Sequence, residues 1–265
     1  MSGNSLKICV LRIEGSGGAW DSYQAFQSLG AETEMVHLNQ LEGRSPARMQ
    51  RSLEDYDALV LPSGFSAGDY VRPGAILAAR IRDSLSKELD EFVADGKAVL
   101  GTGNGFQALM ELGLLPGNGA DLALAANESA RFESRSAVLR HVGKGRCRLS
   151  ADLREGQMLT LPIAHSHGRL VSLDAKAADK LEKDDQIVLR YSGPRGEDAE
   201  YPWNPDGSIG GIAGICNPNG NVLGMMPLPE RALSPYTVQG WNRGPVSGEG
   251  DGAPLLRSLL KNIRP

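Results

Sequence analysis

Only three cysteines, Cys9, Cys147 and Cys216, occur in the 265 residues, at wide and irregular spacing. An odd number so scattered fits neither a disulfide framework nor the paired ligands of a zinc site. Buried, unlinked thiols are expected instead. Long apolar runs are also missing, and none approaches the roughly 18 residues that a bilayer span requires. The opening stretch "MSGNSLKICVLRIEG" lacks the apolar centre and cleavage site of a secretory signal, so a cytoplasmic protein is expected. Basic charge is not in excess: 28 basic and 32 acidic residues give a net charge of −4. Without a cationic surface to neutralise phosphates, neither nucleic acid nor a membrane is expected as a partner.

What is present is the ordinary mixture of a globular chain, 41 % hydrophobic and 23 % charged. The length suits one α/β domain, expected over residues 1–265. Apolar runs "LKICVLRI", "ETEMVHL", "DALVLP" and "KAVLG" read as strands. Between them lie helical patterns, with Trp20, Tyr23, Phe26 and Leu29 in the first and Leu77, Ile81, Leu85, Leu89 and Phe92 across Pro73 to Ala94. Gly96 closes the second helix, and "NGFQALMELGLL" forms a third. This alternation predicts a mainly parallel sheet sandwiched by helices, with ligands at the carboxyl ends of its strands.

Past Gly119 the pattern changes. The stretches "ALAANES", "SRSAVLRHV", "QMLTLPIAHS" and "IVLRYS" predict added antiparallel strands, and "AADKLEKDDQ" a short helix or turn. Residues Gly193 to Gly207 are rich in glycine, proline and acid and are expected as a surface loop. "SIGGIAGICN" and "NVLGMMP" flank the turn signal "PNG" as a hairpin, which puts Cys216 at its far turn, and "APLLRSLLKNI" reads as a final helix.

Five stretches could carry chemistry. In "KAVLGTGNGFQAL" a strand, a glycine-rich bend and a helix follow one another as in the strained turn that presents a nucleophile beside backbone N–H donors. The tip residue is Gly103, which has no side chain to present; a phosphate-binding or plain tight turn is the alternative. "LPSGFSAGDYVRPGA" places Gly64 and Gly68 where backbone amides can approach an anion. In "LPIAHSHGRL", His165 and His167 lie two apart and would share a face on a strand, within reach of a metal, although no further ligand is apparent. In "GMMPLPERA", Leu228 and Glu230 point the same way if the segment is extended. A carboxylate there could orient a histidine base, yet leucine stands in the base's place. "NESARFESR" mixes Arg131, Phe132, Glu133 and Arg135 and reads equally well as a solvated strand edge.

On these motifs the chain resembles the class I glutamine amidotransferase subunit of phosphoribosylformylglycinamidine synthase. The likeness runs from "VLRIEGS" through "GFSAGDY", "NGFQAL" and "RFESR" to "GMMPLPERA". It implies a flavodoxin-like amidotransferase fold, a large synthase subunit as partner, and no cofactor of the chain's own. Family members carry cysteine where this chain has Gly103, histidine where it has Leu228, and glutamate where it has Glu230. Departures also occur at Ser63, where glycine is usual, and at Ser166 and His167, where glycine and glutamate are. The N-terminal "EGSGGAWD" departs as well. Gly64 and Asn104 keep the oxyanion-hole positions, and Gln107, Phe65, His165 and His167 are expected around a ligand. Thr102 should face away from the pocket.

The implied reading is a subunit that keeps the scaffold and has lost glutamine hydrolysis, acting structurally or in regulation on a synthase. One alternative is repurposed acid–base or metal-assisted chemistry through His165, His167 and Glu230. Another is a module that binds a small carboxylate or amide in the old glutamine pocket.

Overall fold

The computed structural model describes residues 6–237, 241–243 and 248–264. Chain order is β1 (Lys7–Arg12), α1 (Ala19–Ser28), β2 (Glu32–His37), α2 (Leu38–Leu41), β3 (Ala58–Leu61), α3 (Ala75–Ala94), β4 (Ala98–Thr102) and α4 (Asn104–Glu111). There follow β5 (Ala123–Ala125), β6 (Glu133–His141), β7 (Met158–His165), β8 (Arg169–Val171), α5 (Ala177–Lys183), β9 (Ile187–Tyr191), β10 (Ile212–Cys216), β11 (Val222–Met225) and α6 (Gly252–Lys261).

Nine strands form one sheet in the order β2-β1-β3-β4-β11-β10-β9-β6-β7. The left half is parallel through β11, and the pairs from β11 to β7 are antiparallel. β5 and β8 make a separate antiparallel pair. This is the α/β architecture expected, a mainly parallel sheet between helices with antiparallel strands added.

The side-chain alternation of each strand explains the two layers. Ile8 and Val10 of β1 and Ala58 and Val60 of β3 face a core with Phe26 of α1 and Leu255, Leu256 and Leu259 of α6. Their neighbours Cys9, Leu11, Leu59 and Leu61 face the opposite core with Leu77, Ile81 and Leu85 of α3 and Phe106 and Leu109 of α4. Strands buried on both faces must be apolar throughout, which is why β3 and β4 read as unbroken apolar runs. α3 starts at Ala75, two residues later than its apolar spacing suggested, because Gly74 takes φ 78° and breaks the helical path there.

"RFESR" is largely the solvated strand edge expected: Arg131, Phe132 and Ser134 are exposed and β6 pairs there with β7 alone, β9 joining only from Leu139, although Glu133 is buried. One reading needs correction. The stretch from Gly193 to Gly207 is a surface loop only in its first part: Tyr201 and Trp203 are exposed, whereas Asn204 and Asp206 are buried. Among the described residues no helix is long and apolar enough to cross a membrane.

Candidate active site

The carboxyl ends of β1, β3, β4 and β11 converge, and the bend after β4 stands among them. Gly103 holds φ 51° and ψ −111°, a conformation that strains any residue with a Cβ. Its N–H donates to Met225 O at 2.8 Å, and its carbonyl accepts the first bond of α4 from Gln107 N at 3.1 Å. Close packing fixes the bend from below. A Cβ on Gly105 would stand 1.8 Å from Leu61 O, so α4 rests on the backbone of β3.

The space above the tip is filled. A Cβ at Gly103 would lie 3.2 Å from Ser63 Cβ and 3.3 Å from Leu228 Cδ2, tighter than van der Waals contact allows without adjustment. Glu230 lies in the same niche. Its Oε1 accepts from Thr102 Oγ1 at 2.9 Å and from Ser63 Oγ at 3.2 Å. Its Oε2 has no partner among the described residues. Burial pushes the Glu230 carboxyl up to about 7, opposed in part by its own N–H and by Thr102.

Leu228 and Glu230 do reach one niche, though not as an extended segment. Pro229–Arg231 is a single 3₁₀ turn, and Arg231 Nε anchors it to Asp21 of α1 at 2.8 Å. Thr102 does not turn away; it takes one of the two hydroxyl positions on the carboxylate. Ser63 and Thr102 were not legible as partners of Glu230 because they lie 167 and 128 residues from it in the chain.

The loop after β3 is tied to the start of α4. Asn104 Oδ1 accepts from Ser66 N at 3.1 Å, while its Nδ2 donates to Asp69 Oδ1 at 3.1 Å and Gln107 Oε1 at 3.0 Å. Gln107 Nε2 donates to His167 O at 2.6 Å. Gly64, at φ 141°, would carry a Cβ 2.5 Å from Gly17 N, so the "EGSGG" loop seals its far side. Phe65 is half exposed and packs on Phe132 with ring centroids 6.1 Å apart. A cavity of about 390 Å³ opens beside Gln107 and His167, walled by Met110, Leu122 and Leu124 and rimmed by the Arg72–Glu111 ion pair.

The two histidines do not share a face. β7 ends at His165, so the two-residue alternation stops there. His165 is buried, with Nδ1 3.1 Å from Asn127 Oδ1. Asn127 Nδ2 donates to the carbonyls of Arg131 and His165, which leaves its Oδ1 as acceptor and puts the imidazole proton on Nδ1. Nε2 then faces Asp206 Oδ2 at 3.8 Å without a donor. Burial holds His165 down to about 4 and raises Asp206 to about 6, so the imidazole is neutral near pH 7. Tyr191 OH donates to the same Asp206 oxygen at 2.9 Å. His167 instead pairs with Ser166, Oγ to Nδ1 at 2.9 Å. Among the described residues no group of three or more His, Cys, Asp or Glu could hold a metal.

A family model for the CobB/CobQ-like glutamine amidotransferase domain matches residues 5–261. The phosphoribosylformylglycinamidine synthase subunit PurQ of Archaeoglobus fulgidus is 42 % identical over 272 residues, covering 98 % of both chains. The subunit of the same name from Picrophilus torridus is 42 % identical over 248 residues, covering 94 % of this chain and 96 % of its own. Among solved structures, a chain of PurLQS from Thermotoga maritima superposes with a TM-score of 0.75 at 31 % identity, covering 98 % of this chain and 100 % of that one.

Proposed function

The chain belongs to the CobB/CobQ-like glutamine amidotransferase family, and from that premise we propose that it is a PurQ-type subunit that has lost glutamine hydrolysis. In this reading one amidotransferase-like domain over residues 1–265 docks on a large synthase subunit of the phosphoribosylformylglycinamidine synthase type. Its role there is structural or regulatory, in the cytoplasm, and the synthase draws on free ammonia or another nitrogen source. The partner is inferred from the PurQ relatives and from the PurLQS structure.

One observation carries the loss of activity. The bend keeps the backbone of a nucleophile turn, yet its tip has no side chain, and Ser63 and Leu228 occupy the room a thiol and an imidazole would need. Amide hydrolysis by this route needs an atom to attack the carbonyl and a base to take and return its proton. Cys216 is buried at the end of β10, and the hydrogen-bonded Ser166 and His167 lie past the end of β7 rather than at the tip of the bend. In a comparable hydrolase, removing the nucleophile costs about 10⁶ in turnover, with residual catalysis from the oxyanion hole.

The test is reconstitution with a large subunit of the phosphoribosylformylglycinamidine synthase type. The complex should form, and amidation should proceed with ammonium salts and ATP and fail with glutamine. Glutamine-supported amidation at the ammonia-supported rate would overturn the reading. The cavity beside Gln107 supports a second function, capture of a small carboxylate or amide. A rise in Tm with glutamine or glutamate but not with glycerol would support it.

A further inference from the structure

β7 ends at His165, and the connection to β8, Ser166 to Gly168, is held by Asn127. Asn127 N donates to Ser166 O at 2.8 Å and its Nδ2 to His165 O at 2.9 Å, while its Oδ1 accepts from Gly168 N at 3.0 Å and from the His165 ring at 3.1 Å. With Nδ1 committed as that donor, His165 presents only the lone pair of Nε2 on its other side. What it meets there is a second acceptor. Oδ2 of the fully buried Asp206 stands 3.8 Å away, and Nε2 has no hydrogen-bond partner among the described residues. Gly168 covers the pair: a Cβ on it would lie 2.3 Å from His165 Cε1 and 3.0 Å from Asp206 Oδ2.

The carboxyl of Asp206 anchors its own segment as well. Oδ1 accepts from Ser208 N at 3.0 Å and Ser208 Oγ at 2.7 Å, and Oδ2 accepts from Tyr191 OH at 2.9 Å. Towards His165, however, one lone pair faces another, and a buried contact of that kind is unfavourable unless a proton lies in it. Burial also disfavours an imidazolium against a carboxylate, which leaves the neutral pair of a carboxylic acid and a bare imidazole nitrogen. The directions of titration agree: burial and then His167 hold His165 down to about 4, and burial raises Asp206 to about 6 against the pull of Ser208 and Tyr191. Tyr191 is itself kept neutral by burial. The charged groups nearby are engaged with one another. Glu133, opposite His165 in the β6–β7 register, accepts from Ser129 and lies 3.4 Å from Arg135, and Glu128 lies 4.0 Å from Arg169.

We propose that Asp206 and His165 share one proton, carried on Asp206 Oδ2 and donated to His165 Nε2, and that this hydrogen bond latches the segment ending at Asp206 onto the connection after β7. Closing 3.8 Å to the hydrogen-bond range takes a movement of about 1 Å. The latch reaches the candidate site. His167 O, in that connection, accepts from Gln107 Nε2 at 2.6 Å, and both residues border the cavity of about 390 Å³. Loss of the proton to solvent leaves a carboxylate facing a lone pair, so the latch slackens as pH rises through about 6. Folding itself moves this proton. In the unfolded chain the imidazole keeps it up to its ordinary 6.5 and the carboxyl has released its own above 3.8, whereas in the folded chain the carboxyl keeps it and the imidazole is neutral. Between about pH 4 and pH 6 both states therefore carry one proton on the pair. Global stability barely changes with pH through it, and the readout must be local.

The full chain, carrying nitrogen-15-labelled histidine, is followed by long-range proton–nitrogen spectra from pH 4.5 to pH 8.5. Amide exchange, corrected for intrinsic rate, is measured at pH 5 and pH 8. His165 Nδ1 should stay protonated throughout, while Nε2 passes from a hydrogen-bonded to a free acceptor with a midpoint near pH 6. Protection of the Gly168 and Glu128 amides, which donate to Asn127 Oδ1 and Asp206 O, should fall about tenfold from pH 5 to pH 8, the worth of one hydrogen bond. In Asp206→Asn the side-chain amide donates to Nε2 at every pH, so the hydrogen-bonded signal and the protection should persist to pH 8. In Tyr191→Phe the carboxylate loses a donor, and the midpoint should rise. A His165 that becomes an imidazolium with its midpoint near the ordinary 6.5, an Nε2 signal that does not move, or protection that falls equally in Asp206→Asn would overturn the proposal. The wild-type spectra decide even where a variant fails to fold.

Discussion

Replacing Glu230 by glutamine tests the idea that this carboxyl, with Leu228 beside it and hydroxyls and its own N–H as donors, is held protonated by burial. Unfolded, the carboxyl ionises near its ordinary value of 4.5; folded, it does so at about 7. Between those values the unfolded chain gives up a proton that the folded chain keeps. Stability contributed by the protonated carboxyl is therefore present at low pH, falls as pH rises from about 4.5 to about 7, and changes little above that. With about 1.36 kcal/mol for each pH unit, the wild type should lose about 2–3 kcal/mol between pH 5 and pH 8 through this group. Glu230→Gln removes that titration and keeps a polar group for Thr102 and Ser63. The variant should lie within about 1 kcal/mol of wild type at pH 5 and be more stable by about 2 kcal/mol at pH 8. Urea unfolding of both proteins at the two pH values measures this, because His165, Asp206 and the surface groups titrate alike in each and cancel. A stability difference that does not change between pH 5 and pH 8 would refute the reasoning, since it would mean that Glu230 is ionised throughout.

Three further outcomes follow from the packing around the bend. Gly103→Cys alone should destabilise by about 1–3 kcal/mol, from the strained φ and the Ser63 and Leu228 contacts, and should not hydrolyse glutamine. Adding Ser63→Gly and Leu228→His should recover stability in thermal melts and raise glutamate release above that of the single variant. Asn104→Ala should cost about 2–4 kcal/mol and speed proteolysis of the loop at residues 63–70, because Ser66 N, Asp69 and Gln107 lose their shared partner. Gly105→Ala should lose more than about 3 kcal/mol by urea unfolding, since its Cβ would meet the Leu61 carbonyl and only backbone movement relieves the clash.

Much of the fold was legible because strands buried on both faces admit almost nothing but apolar residues, and β3 and β4 announce themselves that way. The amphipathic spacing of α3 and the "PNG" turn between β10 and β11 were equally local signals. What stayed hidden depends on contacts far apart in sequence. Asp206 sits in a stretch with the composition of a solvated loop, yet Tyr191 and Ser208 draw it inward. His165 and His167 satisfy a period of two that the end of β7 interrupts. At the site, the missing side chain of Gly103 could be read directly, whereas the closing of its niche by Ser63, Thr102 and Leu228 required the third dimension.

The proposed loss of glutaminase activity is tested most directly by glutamate release from L-glutamine, measured on the chain alone and after mixing with a large synthase subunit. With no nucleophile at position 103, turnover should be about 10⁶ below that of a subunit with an intact triad, in both states. Glutamate release at ordinary amidotransferase rates, with or without the partner, would contradict it.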